Sequence, residues 1–180
     1  MKLSYRVCFA AAALLSAMLF VGCGGSSSSA ASAAAPASAS AAAEENGRSL
    51  DGILNAILDK NPISNRFTIE DMNIEYDFLL DPADIKAYQG VKSNDNGDAG
   101  LVLVLDTAEG KTSAVMDTLK EYREDQIAYY GNYAEFADAQ ANVRDCTITS
   151  SGSVVVLVIA SSECSDPSSL SAAVSSALAG

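Results

Sequence analysis

Hydrophobic positions divide the chain into three regimes. Val7 to Val21 is apolar apart from Ser16, a run of 15 residues. Gly24 to Ala43 contains only Gly, Ser, Ala and Pro and has nothing to bury. From Glu45 onward, apolar residues recur with the periods of helices and strands. Leu50, Ile53, Leu54, Ile57 and Leu58 stand at helical spacing behind Ser49, a natural N-cap, and Asn61-Pro62 stops that helix. Ile63 to Asp84 reads as irregular, with apolar clusters at Met72–Ile74 and Phe78–Leu80 and a turn at Asp81-Pro82. Ile85 to Val91 alternates like a half-buried strand. Leu101 to Leu105 is apolar throughout, as a central strand would be, and the Asn-Gly turn within Asn94–Asp98 joins the two as a hairpin.

Thr112 to Tyr130 is the strongest predicted helix. Val115, Leu119, Tyr122, Gln126 and Tyr129 form one ridge, Met116, Ile127 and Tyr130 flank it, and Gly131-Asn132 closes it. A short turn or helix is expected over Ala134–Ala141. A second hairpin follows, Val143–Ser150 and Val154–Ala160, turning at Ser151-Gly152. Asp166-Pro167 then opens a helix with Leu170, Val174 and Leu178 on one side.

The order α-β-β-α-β-β-α predicts an α+β fold with a four-stranded antiparallel sheet. The two most apolar strands belong side by side in the centre, giving the order 1-2-4-3. Helices are expected mainly on one face. The other face then needs cover from the first helix, the irregular segment or a partner, because two wholly apolar strands cannot leave a side to water.

The N-terminal run changes the picture of where this domain resides. Lys2 and Arg6 precede it, and 15 residues fall short of the roughly 20 that span a bilayer as a helix. The layout is that of a secretory signal. Its end, Phe20-Val21-Gly22-Cys23, resembles the lipobox of bacterial lipoproteins, with Phe20 where that motif usually has Leu. The resemblance implies cleavage between Gly22 and Cys23 and a diacylglyceryl group on the Cys23 thiol. The expected organisation is a signal peptide at 1–22, a lipidated Cys and flexible tether at 23–44, and one α+β domain at 45–180. Two acyl chains anchor firmly where one binds only marginally. The Gly/Ser/Ala stretch gives the tether a root-mean-square reach of about 25 Å. The expected location is the extracytoplasmic face of the cell membrane.

Charge and composition narrow the chemistry. Loss of Lys2 and Arg6 takes the formal charge from −12 to −14, which disfavours nucleic acid and anionic lipid as partners. The chain has no His, which removes His-dependent triads and the commonest zinc ligand. No catalytic residue, metal ligand or cofactor is assigned. Gly110-Lys111-Thr112 imitates the end of a phosphate loop, but the first glycine of that motif falls on Leu105. A calcium loop centred on Gly97 would place Lys92 and Leu103 at ligand positions that require oxygen. Glu70, Asp71, Glu75, Asp77, Asp81 and Asp84 fit no ligand template and read as a solvated face.

Two groups stay open as sites. Tyr122, Tyr129, Tyr130 and Tyr133, with Phe136, form an aromatic cluster that packs as core or contacts a sugar or peptide ligand. Cys146 and Cys164 are a candidate disulfide in an exported chain. The hairpin argues against the bond, since it sets Cys146 opposite Leu157, seven residues from Cys164.

From Asp77 to Ala160, the segments "YDFLLDPADIKAYQG", "TLKEYREDQIAYY" with Tyr133, and "TITSSGSVVVLVIASS" resemble bacterial lipoproteins of the domain of unknown function 4358 family. Ala134-Glu135 stands where that family often has Pro-Glu. The resemblance implies a Gram-positive surface lipoprotein and brings no catalytic residues. The expected function is a non-enzymatic interaction module of the cell envelope, with an envelope protein or a second copy as partner. A small-ligand binder using the aromatic cluster is the alternative.

Mass spectrometry of the protein from its native host is expected to find Cys23 as the first residue, carrying a diacylglyceryl group. A bare sulfur there, or a full-length chain retaining residues 1–22 in the cytosol, would refute the anchor.

Overall fold

Two strands that are apolar on both faces set the architecture. In the computed structural model, which describes Glu44, Glu45 and Arg48–Gly180, every residue of Leu101–Thr107 and of Val154–Ile159 is buried. Side chains alternate across a strand, so each of these strands presents apolar groups in both directions and needs a layer on either side. The expected signal, the Gly22–Cys23 junction and the tether up to residue 43 lie outside the described residues. Among the described residues, no helix is long and apolar enough to cross a membrane.

The chain enters through a two-residue ladder, β1 (Glu44–Glu45) paired antiparallel with β2 (Arg48–Ser49). Helix α1 (Leu50–Leu58) follows, and the Ser49 Oγ accepts from the Gly52 N–H at 3.1 Å, the cap expected of it. The main sheet comprises β3 (Arg66–Thr68), β4 (Ile85–Ser93), β5 (Leu101–Thr107), β6 (Thr147–Ser151) and β7 (Val154–Ile159). Between β5 and β6 lie α2 (Thr112–Gly131) and α3 (Ala137–Arg144), and α4 (Leu170–Ala179) ends the chain. The fold is α+β with one main antiparallel sheet.

That sheet has five strands, not four. Its order is β3-β4-β5-β7-β6, which differs from the expected 1-2-4-3. The extra edge strand, β3, comes from the segment read as irregular. Three residues with no apolar alternation carry no strand signal of their own. Their pairing with β4 (Arg66↔Ser93, Phe67↔Lys92, Thr68↔Val91) is a tertiary event. The two all-apolar strands do lie side by side, from Leu101↔Ile159 to Asp106↔Val154.

Helices cover both faces, which corrects the expectation that they lie mainly on one. Helices α1 and α4 pack on Val91, Val102, Val104, Val154, Val156 and Val158. Helices α2 and α3, with Ile69, Ile74, Phe78 and Leu80, pack on Leu101, Leu103, Leu105, Val155, Leu157 and Ile159. Each such fully buried aliphatic side chain contributes about 1.5–3 kcal/mol relative to exposure. The irregular segment therefore supplies part of the second layer. A π turn at Asn73–Asp77, with Phe78 N–H bonded to the Asn73 carbonyl at 3.0 Å, carries Ile74 and Phe78 to the same buried side.

The second hairpin is also corrected. Val143 is not in a strand but ends α3, where Ala139 and Val143 bury one turn apart. The turn occupies Gly152-Ser153, flanked by the pair Ser151↔Val154. Gly152 has φ +60°, as the first position of such a two-residue turn demands.

One buried amide ties the first helix to the end of β7. Asn61 is fully buried; its Nδ2 donates to the Ile159 carbonyl and its Oδ1 accepts from the Ser161 N–H, both at 2.9 Å. Ser161 Oγ donates in turn to the Pro62 carbonyl at 2.6 Å. The side chain thus stands in for a strand at the sheet's end.

Asn61→Ala is expected to destabilise the fold by about 2–4 kcal/mol, because two buried backbone groups lose their partners. Urea unfolding measures this; a loss below about 0.5 kcal/mol would show the clamp to be dispensable.

Candidate functional site

The aromatic cluster borders a groove of about 360 Å³. One wall is the β4–β5 loop, Asn94–Gly100; the other is the C-terminal half of α2, with Gln126, Tyr129 and Tyr130, and then Phe136. Local sequence explains each wall. Asn96-Gly97 turns the hairpin, and Gly97 has φ +81°. Phe136 packs on that turn, so close that a Cβ on Gly97 would sit 2.6 Å from its Cε1.

Hydrogen bonds between loops hold the rim. Asp95 Oδ1 accepts from Asn65 Nδ2 at 2.6 Å, and the Asn94 N–H donates to the Asn65 carbonyl at 2.9 Å. Asp98 Oδ1 accepts from the Gly100 and Ser162 N–H groups, both at 3.0 Å. Glu163 accepts from Ser64 N–H and Oγ at 2.9 and 2.6 Å. Three loops are thereby fastened together at one end of the sheet.

The structure separates the four predicted tyrosines. Tyr122 is half-buried against the core, its ring 4.8 Å from that of Phe78, and also lines the groove; burial pushes its phenol well above the usual range. Tyr129, Tyr130, Tyr133 and Phe136 form a closed circuit of ring centroids. The successive separations are 5.1 Å (129–130), 6.0 Å (130–136), 5.4 Å (136–133) and 6.0 Å (133–129). Tyr129 and Tyr133 remain 53% and 45% exposed, far more than a core role requires. Tyr130 is half-buried; burial, then Tyr129 and Asp98, raise its phenol pKa, so it stays neutral and can donate. Pairing of these rings with the 94–100 loop was not legible in the sequence, because the two are brought together only by the sheet.

A second exposed feature arises at the π turn. Met72, Tyr76 and Leu79 are 67%, 66% and 68% exposed and recur at helical spacing. Leu79 has φ +55°, a left-handed conformation that disfavours a non-glycine residue by about 1–2 kcal/mol. Its neighbours Phe78 and Leu80 are both buried, which forces Leu79 outward. The acids of this segment are dispersed among separate partners. Asp71 accepts from the Tyr88 hydroxyl, Asp77 from Lys92 Nζ and Asn73 Nδ2 at 2.9 Å each, and Asp84 pairs with Lys111 Nζ at 2.7 Å. Burial opposes the Asp77 carboxylate, but the hydrogen bonds from Lys92 and Asn73 outweigh it and hold its pKa below the usual value.

Cys146 and Cys164 are free thiols on opposite sides of the sheet, so the candidate disulfide is not formed. Cys164 Sγ reaches the Lys60 carbonyl at 3.4 Å, while burial raises the Cys146 thiol to about 11. The phosphate-loop imitation is spent internally: Lys111 is held by Asp84, and Thr112 Oγ1 lies 2.9 Å from Thr107 Oγ1. Among the described residues, no group of three or more His, Cys, Asp or Glu could hold a metal ion.

With this geometry in hand, comparison with known proteins places the chain. The profile of a domain of unknown function (DUF4358) matches residues 61–160. The chain belongs to that family. No curated protein and no solved structure matches it.

Gly97→Ala is expected to cost about 1–3 kcal/mol, since it forces both an unfavourable φ and a clash with Phe136. Thermal unfolding measures the loss, and tyrosine fluorescence should report the opened groove. An unchanged melting temperature would refute the packing described here.

Proposed function

We propose that the protein is a membrane-anchored extracytoplasmic lipoprotein acting as a non-enzymatic interaction module of the cell envelope. The observation that carries this reading is the exposed triad Met72, Tyr76 and Leu79. Large apolar side chains held in water cost free energy, and Leu79 adds backbone strain that a glycine would relieve. A stability cost of this kind makes sense where the side chain is needed by a partner. Around the triad, residues 69–84 contain six acids and no Lys or Arg. The complementary partner is an envelope protein segment with apolar anchors flanked by basic residues. A tether of about 25 Å lets the domain search for it near the bilayer.

The groove supports a second reading, a small-ligand binder for a sugar or peptide. Its fixed rim and the open ring of Tyr129 in its lining are the arrangement that favours such use.

Leu79→Gly separates partner binding from stability. The variant is expected to match or exceed the parent in stability, by up to about 1 kcal/mol, while losing at least tenfold of its partner binding. A photo-crosslinker at position 76 in the native host should capture one discrete envelope protein, and Leu79→Gly should abolish that adduct. An adduct unaffected by Leu79→Gly, or repeated absence of any adduct, would refute the docking surface. An adduct with a second copy would assign the surface to self-association.

A further inference from the structure

We propose that the groove between the Asn94–Gly100 loop and the α2 tyrosines binds an organic ammonium group, quaternary or alkylated. The inference names a ligand class for the small-ligand reading and rests on it.

Three features converge. The first is the closed circuit of Tyr129, Tyr130, Phe136 and Tyr133, with neighbouring centroids 5.1–6.0 Å apart. Aromatic faces carry negative quadrupole charge and attract cations within about 6 Å. Tyr122, Tyr129, Tyr130 and Phe136 line the groove, and Tyr133 closes the circuit from outside that lining; edge-to-face contacts use some of the ring surface, but Tyr129 stays about half exposed and has a face left for a ligand.

The second feature is charge on the facing wall. Asp95 and Asp98 line the loop, and each carboxylate is oriented by hydrogen bonds from other segments. These bonds fix the negative charge in place without neutralising it. Asp98 also adjoins the rings directly, since the Tyr130 hydroxyl reaches its carbonyl at 3.4 Å.

The third feature concerns the cation already there. Lys92 is the lysine of the groove lining, and it is engaged elsewhere. Its Nζ lies 2.9 Å from Asp77 and 5.2 Å from the centroid of Phe67, a ring outside the circuit. Among the described residues, the groove therefore keeps a negative balance beside rings that no lysine is seen to cover. An anion is repelled there. A neutral sugar can stack on the rings but gains nothing from two fixed carboxylate charges. A diffuse cation with methyl or methylene groups uses both, because alkyl groups around the nitrogen lower its desolvation cost and fit ring faces.

The chain has no tryptophan, so tyrosine emission is not masked, and the Tyr129→Leu variant separates the groove's contribution from that of Tyr76 and Tyr88. The full lipidated protein in detergent is titrated at constant ionic strength with four probes: choline, its neutral isostere 3,3-dimethylbutan-1-ol, cellotetraose and tetra-alanine capped as its N-acetyl amide, which carries no ammonium. Choline should saturate with a dissociation constant on the order of millimolar, and the isostere should bind at least about tenfold more weakly. Tyr129→Phe keeps the ring face and should change choline affinity by less than about threefold, whereas Tyr129→Leu should weaken it about tenfold. Equal binding of choline and the isostere, or choline binding untouched by Tyr129→Leu, would overturn the inference. Saturation by cellotetraose or tetra-alanine without choline would overturn it and leave the small-ligand reading standing. Failure of all four would remove both.

Discussion

The double-sided apolarity of β5 and β7 is the constraint from which the rest of the molecule follows. A strand buried on one face can close a two-layer domain. Two adjacent strands buried on both faces cannot, because either open side would expose a row of Val or Leu to water. The chain answers with α1 and α4 on the valine face and with α2, α3 and the π-turn segment on the leucine face. Even the unusual features trace to this demand. The π turn exists where Ile74 and Phe78 must both reach the sheet, and the left-handed Leu79 is what remains when its two neighbours turn inward.

The match to the family covers residues 61–160, and those limits have a structural meaning. The segment starts at Asn61, whose amide bonds the end of β7, and stops at Ala160, between the two residues that amide contacts. It holds the whole main sheet and the entire cover of the leucine face. Helices α1 and α4, which cover the valine face, lie outside it. The shared unit therefore includes both the groove and the Met72–Tyr76–Leu79 surface, while the flanking helices complete its burial. Both surfaces lie beside acidic residues, Asp95 and Asp98 at the groove and Asp71, Glu75 and Asp77 near the triad.

Legibility followed the range of the interaction. Helices α1, α2 and α4 and the strands β4, β5 and β7 were readable because each announces itself by local periodicity or by an unbroken apolar run. Strand β3 was not, since Arg66-Phe67-Thr68 become a strand only by pairing with residues some 25 positions away. The hairpin pattern places Val143 at the start of a strand; burial beside Ala139 on a helix overrides that expectation. The tyrosine cluster was legible as a set. Its division was not: Tyr122 packs against the core because Phe78 arrives from another segment, and Tyr129 and Tyr133 stay open because no described segment covers them.

By itself, the sequence determined what short-range chemistry dictates. It specified helices α1, α2 and α4 and strands β4, β5 and β7, the strongly acidic balance, the lack of histidine chemistry and the pairing of the two most apolar strands. Tertiary structure alone decided how many strands share the sheet, which helices take which face, and that Cys146 and Cys164 lie on opposite sides of it. It also decided that an Asn-Gly turn and the end of a helix face each other across a groove. The physical reason is that periodicity records only whether a side chain is buried, whereas the identity of its neighbours depends on long-range packing that no local pattern encodes.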